Sequence, residues 1–183
     1  MGTRENMIGM ISINAERSVI KLGDVEIAYH CDKFNTRIFK GFEDTLGFEK
    51  ARDLIFTSAH NTTYDNLVKI ATGIIAGSKP ADVIESLFEL YKVLGYGNFM
   101  VQDAYENGGR VKGDPSYMAE GWLENQEKWH WTNRTQGVCH EEAGHIAAAW
   151  ELAHNLKKGS VRVIETVCKA AGGPYCEFQI EVL

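Results

Sequence analysis

Three of the four cysteines in this chain of 183 residues lie between residues 139 and 183, where Cys139, Cys168 and Cys176 share the C-terminal region with Glu165. A thiol triplet with a nearby carboxylate is compatible with a metal site, a disulfide or buried inert thiols. Cys139 stands at the expected start of a helix, where unpaired backbone N–H groups and the helix dipole favour a thiolate. Gly172-Gly173-Pro174 marks a turn between Cys168 and Cys176 that would fold the two sulfurs back toward each other. Three thiolates and one carboxylate suit tetrahedral zinc, and a shell closed by protein ligands would make that ion structural. On a regular strand Glu165 and Cys168 point to opposite faces, so sharing one ion requires the backbone to bend at Thr166 or Val167. A Cys168–Cys176 disulfide and unreactive core thiols remain the alternatives.

The elements that must position these residues run strands, helices, strands. Ser18–Leu22 and Val25–His30 flank Gly23-Asp24 and predict a small hairpin. Phe34, Ile38, Phe42 and Leu46 recur at helical spacing before Gly47, and a second helical pattern runs from Ala51 through Leu54, Ile55, Tyr64 and Leu67 to Ile74. Ser78, Pro80 and Asp82 signal the start of a helix through Val83, Leu87, Leu90 and Leu94 that Gly95 and Gly97 would stop. From Asn98 the period shifts toward two. Phe99 and Val101, then Val111, Tyr117 and Ala119 after Asn107-Gly108-Gly109, predict an antiparallel pair followed by a polar loop over 124–134. Ala143, Ile146, Ala147, Trp150 and Ala153 form an apolar helix stripe ended by Gly159, and two strands finish the chain. In the last strand Cys176, Phe178, Ile180 and Val182 alternate with polar residues, so Cys176 begins its buried face. The expected fold class is α+β, an antiparallel sheet packed against helices. One domain spans 1–183, with a hairpin over 1–30, a helical part over 31–97 and a C-terminal module over 98–183.

A chain of this length buries most of its apolar surface without staples, so a zinc ion would order a local corner. The net charge of −6 and the lack of a basic stripe argue against a nucleic-acid or anionic-membrane surface. Charges occupy Met1–Met10 where a signal core would be apolar, and no apolar run reaches membrane-spanning length, so a cytoplasmic location is expected. His140 and His145 are five apart and diverge by about 140° on a helix, which does not suit a two-histidine hydrolase site. Neither a glycine-rich phosphate loop nor a dinucleotide fingerprint occurs.

Cys139-His-Glu-Glu-Ala-Gly144, Glu165-Thr-Val-Cys168 and Gly172-Gly-Pro-Tyr-Cys176-Glu-Phe178 together resemble the C-terminal motif of the 4-vinyl reductase domain family, often described as hydrocarbon-binding. The likeness covers about the last quarter of the chain. This module occurs in sensor domains of aromatic-responsive transcription activators, where three cysteines and a glutamate bind zinc. The resemblance therefore assigns zinc to Cys139, Glu165, Cys168 and Cys176, and implies the ligand-binding fold of the NO-signalling and Golgi-transport type. The chain departs from the family pattern at Gly172-Gly173 and at His145, and neither departure removes a ligand.

The expected function is a non-catalytic binding or sensor domain for a small hydrophobic or aromatic molecule, carrying structural zinc, acting as a homodimer or through a separate regulatory protein. Tyr96, Phe99, Tyr117, Trp122 and His145 are the candidate pocket residues, and His60 is a further possible polar anchor. The family's name supports an alternative, a tetrapyrrole vinyl reductase or its accessory factor, which would need a separate reductase as electron source. An assembly or trafficking scaffold is a third reading, resting on fold analogy alone.

Overall fold

A computed structural model describes residues 8–28, 30–75 and 79–183, without the side chains of 67–75. The chain starts with a small antiparallel sheet of β1 (Ile11–Asn14), β2 (Val19–Leu22) and β3 (Val25–Ile27). Three helices follow: α1 (Asp32–Leu46), α2 (Phe48–Ile75) and α3 (Pro80–Leu94). The hairpin β4 (Gly97–Tyr105) and β5 (Gly108–Ser116) leads into α4 (Tyr117–Trp129) and α5 (His140–Ala153). The chain closes with β6 (Val161–Val167), one 3-10 turn over Lys169–Ala171, and β7 (Cys176–Val182). The main sheet has the order β4-β5-β7-β6 and is antiparallel throughout. This is the expected α+β arrangement of antiparallel sheets packed against helices.

Helix α5 lies at the centre. His140 and every residue from Glu142 to Ala153 are buried, because the helix is enclosed by α2 on one side and by β6 and α3 on others. An all-round buried helix needs small residues where a neighbour comes close. Gly144 is such a point: a Cβ there would stand 2.6 Å from the Phe56 carbonyl oxygen and 2.8 Å from the His60 nitrogen of α2. On the sheet side Phe178, Ile180 and Val111 pack with Trp150 and Ile146 of α5, all essentially inaccessible. Each such side chain stabilises the fold by roughly 1.5–3 kcal/mol, and the same core cluster includes Cys139, Cys168 and Cys176.

Several expectations change in three dimensions. A strand before the hairpin, β1, makes the N-terminal unit three-stranded; β3 ends at Ile27, and Tyr29 and Ser78 lie outside the described residues. The residues from Ala51 to Ile74 belong to one helix, α2. Tyr117 and Ala119 are helical rather than strand residues, and the expected polar loop is helix as far as Trp129. The Tyr117 N–H donates to the Tyr96 carbonyl, after which Met118, Ala119 and Trp122 bury one face of α4, a helical spacing that the alternating pattern concealed. Helix α5 ends at His154, before Gly159. Helix α1 exists as predicted, but Phe34, Ile38, Phe42 and Leu46 are 49%, 37%, 37% and 41% exposed, while Thr36 is its buried residue. Asn125 of α4 explains the inversion, because its amide donates to the Lys33 carbonyl and to Thr36 Oγ1 and holds the polar face of α1 inward.

Candidate functional site

The four sequence-selected acids converge. One ligand atom from each of Cys139, Glu165, Cys168 and Cys176 lies within 4.8 Å of the others. Three local devices bring them together. Cys139 is the N-cap of α5, and its backbone N–H donates to Glu165 Oε2 at 3.0 Å. The β6–β7 register shifts between Glu165 and Val167, the backbone irregularity that sharing one ion demands. The 3-10 turn after Cys168 returns the chain so that Cys176 Sγ stands 3.5 Å from Cys139 Sγ and accepts the Lys169 N–H at 3.5 Å. Tetrahedral zinc–thiolate geometry places sulfurs about 3.8 Å apart, close to this spacing.

A further layer positions the corner. Gly137 leaves room for the carboxylate: a Cβ there would collide with Glu165 Oε2. Arg134 grips Glu43 of α1 with two bonds of 3.0 Å and donates to the Gln136 and Gly137 carbonyls, fixing the segment that delivers Cys139. Ser116 Oγ lies 3.2 Å from Cys139 Sγ and 3.0 Å from Glu142 Oε1, and Glu142 also accepts the Met118 N–H. Sequence reasoning missed Ser116, Gly137, Arg134 and Glu142. Only Glu142 left a signal, since it precedes Ile146 by four residues and so falls on the buried stripe of α5.

The electrostatics of the corner call for a cation. All four cysteines are free thiols, so the Cys168–Cys176 disulfide does not form here. Burial pushes the Cys139 thiol and the Glu165 carboxyl well up, and the Cys168 thiolate raises Glu165 further. Hydrogen bonds from the Cys139 and Cys176 thiols hold Cys168 down to about 2. The bond to Cys139 lowers Cys176, but its bond to the Cys168 thiolate and its burial outweigh this and leave it raised. The buried Glu165 Oε1 has no hydrogen-bond partner among the described residues. A divalent cation would let all four act as ligands at once, which is the chemistry of a closed thiolate-rich site. The neighbouring imidazole of His140 is pushed down to about 4 by burial and by Arg134 and Arg52, and so stays neutral.

The candidate pocket residues separate. Tyr96 and His145 line a partly open cavity of about 570 Å³ between β2, β3, α1, α2, α3 and α5. Its walls are mainly apolar, with Leu22, Ile27, Phe39, Phe42, Ile55 and Leu90 among them. At the polar end His145 Nδ1 and Thr63 Oγ1 are 2.6 Å apart, while His145 Nε2 is buried without a partner among the described residues. Phe99 is instead core, between Phe88, Tyr91 and Phe178. The Tyr117 hydroxyl donates to the His30 carbonyl and accepts from Asn35, and Trp122 packs on Trp131 under the Arg134 guanidinium. His60 is committed to Glu151 at 2.8 Å, whose other oxygen accepts the Gly159 and Val161 N–H groups and ties α5 to β6. A second cavity, of about 1170 Å³, adjoins the four-acid corner and is lined by Arg52, Lys158 and Arg162 as well as Asp53 and Glu165. Among the described residues no helix is long and apolar enough to cross a membrane.

With this geometry in view, comparison with known proteins identifies the C-terminal part. Residues 122–182 match the V4R domain family, so the resemblance read from the cysteine motifs holds for that third of the chain. None of the curated proteins matches in sequence. Among solved structures, the phenol-responsive sensory domain of the transcription activator PoxR, with phenol, superposes with a TM-score of 0.82 at 16% identity, covering 98% of this chain and 88% of that one. A trafficking protein particle complex subunit 3 from Naegleria fowleri, covalently bound to palmitic acid, gives 0.54 at 11% identity over 83% and 95% of the two chains. A vinyl-4-reductase family protein from Methanocaldococcus jannaschii gives 0.48 at 14% identity over 83% and 90%. At these identities the likeness is one of fold.

Proposed function

We propose, for a chain whose residues 122–182 form a V4R domain, a non-catalytic binding or sensor domain that takes a small hydrophobic or aromatic molecule into the cavity of about 570 Å³ beside His145. The observation that carries this reading is a mainly apolar cavity lined by His145, whose buried Nε2 has no partner among the described residues. Ligand sites commonly enclose about 300–1,000 Å³, with few polar groups to fix orientation, and this cavity has that character. The shared fold with a phenol-responsive sensory domain supports the same reading. Cys139, Glu165, Cys168 and Cys176 would hold one structural zinc, which draws the α5 N-terminus and the β6–β7 turn together and so steadies the helix that presents His145. A single domain that signals through its own second copy or a separate regulatory protein completes the proposal.

Two measurements test it. Elemental analysis of the purified protein should return about one zinc per chain, as a closed site of four protein ligands implies. Thermal melting with phenol or other small aromatic probes should show a concentration-dependent rise in Tm that follows ligand linkage, without turnover. Metal-free protein would remove the zinc part, and a Tm indifferent to every aromatic probe would remove the pocket part.

A further inference from the structure

The same pocket carries information about the head group of its ligand. His145 is only 6% exposed, and its Nε2 lies 3.8 Å from Glu141 Oε1, beyond hydrogen-bonding reach. Glu141 Oε2 is likewise buried without a partner among the described residues. Glu141 and His145, one helical turn apart on α5, both line the cavity, each with a buried polar atom that has no partner among the described residues, and burying such groups unpaired is costly. The Thr63–His145 hydrogen bond has no fixed direction; in the tautomer with Nδ1–H, Nε2 offers a lone pair, and Glu141 Oε2 is an acceptor as a carboxylate oxygen. The Tyr96 and Tyr91 rings stand 4.5 Å and 5.4 Å from the imidazole and line this end of the cavity. Exposed Glu26 adds a second carboxylate to the lining, and among the described residues neither Lys nor Arg contributes to it.

A carboxylate ligand would meet Glu141 with like charge and find no cation among those lining residues. A protonated amine on an apolar ring can donate to Glu141 and, in the Nδ1–H tautomer, to His145, and its positive charge complements the Glu141 carboxylate. We propose that this pocket selects apolar, ring-bearing ligands with a hydrogen-bond-donating amine head group, held by Glu141 and His145, and discriminates against aromatic carboxylates. The inference rests on the pocket reading above and adds the chemistry of the head group.

The test is titration calorimetry at neutral pH on the full chain with benzylamine, benzyl alcohol and benzoate, which share one ring. Benzylamine should bind tightest and benzoate weakest, the two separated by about tenfold or more in Kd. Glu141→Gln should collapse the amine preference while retaining benzyl alcohol binding, which shows that the variant's pocket is still formed. Equal affinity for all three probes, a preference for benzoate, or an amine preference that survives Glu141→Gln overturns the head-group inference and leaves the aromatic pocket standing. Failure of all three to bind the wild-type protein overturns both readings.

Discussion

The four-acid corner and the apolar pocket share helix α5 but are built in opposite ways. The corner takes its ligand atoms from Cys139 and from a compact stretch between Glu165 and Cys176, a helix cap and a hairpin turn. The pocket gathers residues from six elements between Leu22 and His145, and its polar groups come from β3, α2 and α5 among others. A site made from short loops and caps leaves a spacing signature, whereas one made from distant walls leaves only ordinary apolar residues. The same contrast holds electrostatically. The corner concentrates acids that become compatible around a cation, while beside the mainly apolar cavity His145 Nε2 and Glu141 Oε2 are buried without partners among the described residues.

Cys176→Ser should cut bound metal from about one per chain to near zero and expose the β6–β7 hairpin to protease, because three ligands do not close the site. Full metal retention would sink the ligand set. Gly137→Ala should weaken metal affinity by about 10–100-fold, since its methyl group displaces the Glu165 carboxylate without touching any sulfur. Competition with a chromogenic chelator reads this directly. His145→Ala should lower aromatic-ligand affinity by about tenfold and leave metal content untouched. If it instead releases metal, the two sites are not separable.

The fourth prediction concerns the link between the sites. Burial, with a smaller contribution from Glu141, raises the Glu142 carboxyl from 4.5 to about 8. Its folded pKa exceeds its unfolded value, so the folded state holds the extra proton and this contribution is lost as pH rises from about 4.5 through about 8. Glu142→Gln keeps the acceptor for Ser116 and Met118 and cannot titrate. Its stability relative to wild type should therefore increase across that window, as Tm measured at several pH values would show. A difference independent of pH would mean that Glu142 does not titrate there. The smallest effect is the control: Cys31→Ser, at the exposed N-cap of α1, should leave metal content and Tm unchanged.

Legibility followed the range of the forces involved. The β4–β5 turn, helix α3 with its proline start and Gly95 stop, and the inward face of β7 all depend on neighbours a few residues away, and each was readable. Helix α1 shows the limit. Its period was plain, yet Asn125, far along the chain, turns its polar side inward, so amphipathicity predicted the helix and not the buried face. Among the pocket candidates, Tyr96 and His145 line the cavity whereas Phe99, Tyr117 and Trp122 do not, and nothing local distinguishes these aromatics.

The four acids, the helix cap and the need for a bend at Thr166 or Val167 were legible in the sequence, because backbone geometry over a few residues restricts where thiols and a carboxylate can meet. Tertiary structure alone decided that Glu141 and His145 face a cavity, that Glu142 is buried beneath Ser116, and that Gly137 makes room for Glu165. Those outcomes depend on which surfaces of α2, α4 and α5 come together, and burial creates an unsatisfied polar atom only after packing has removed its water.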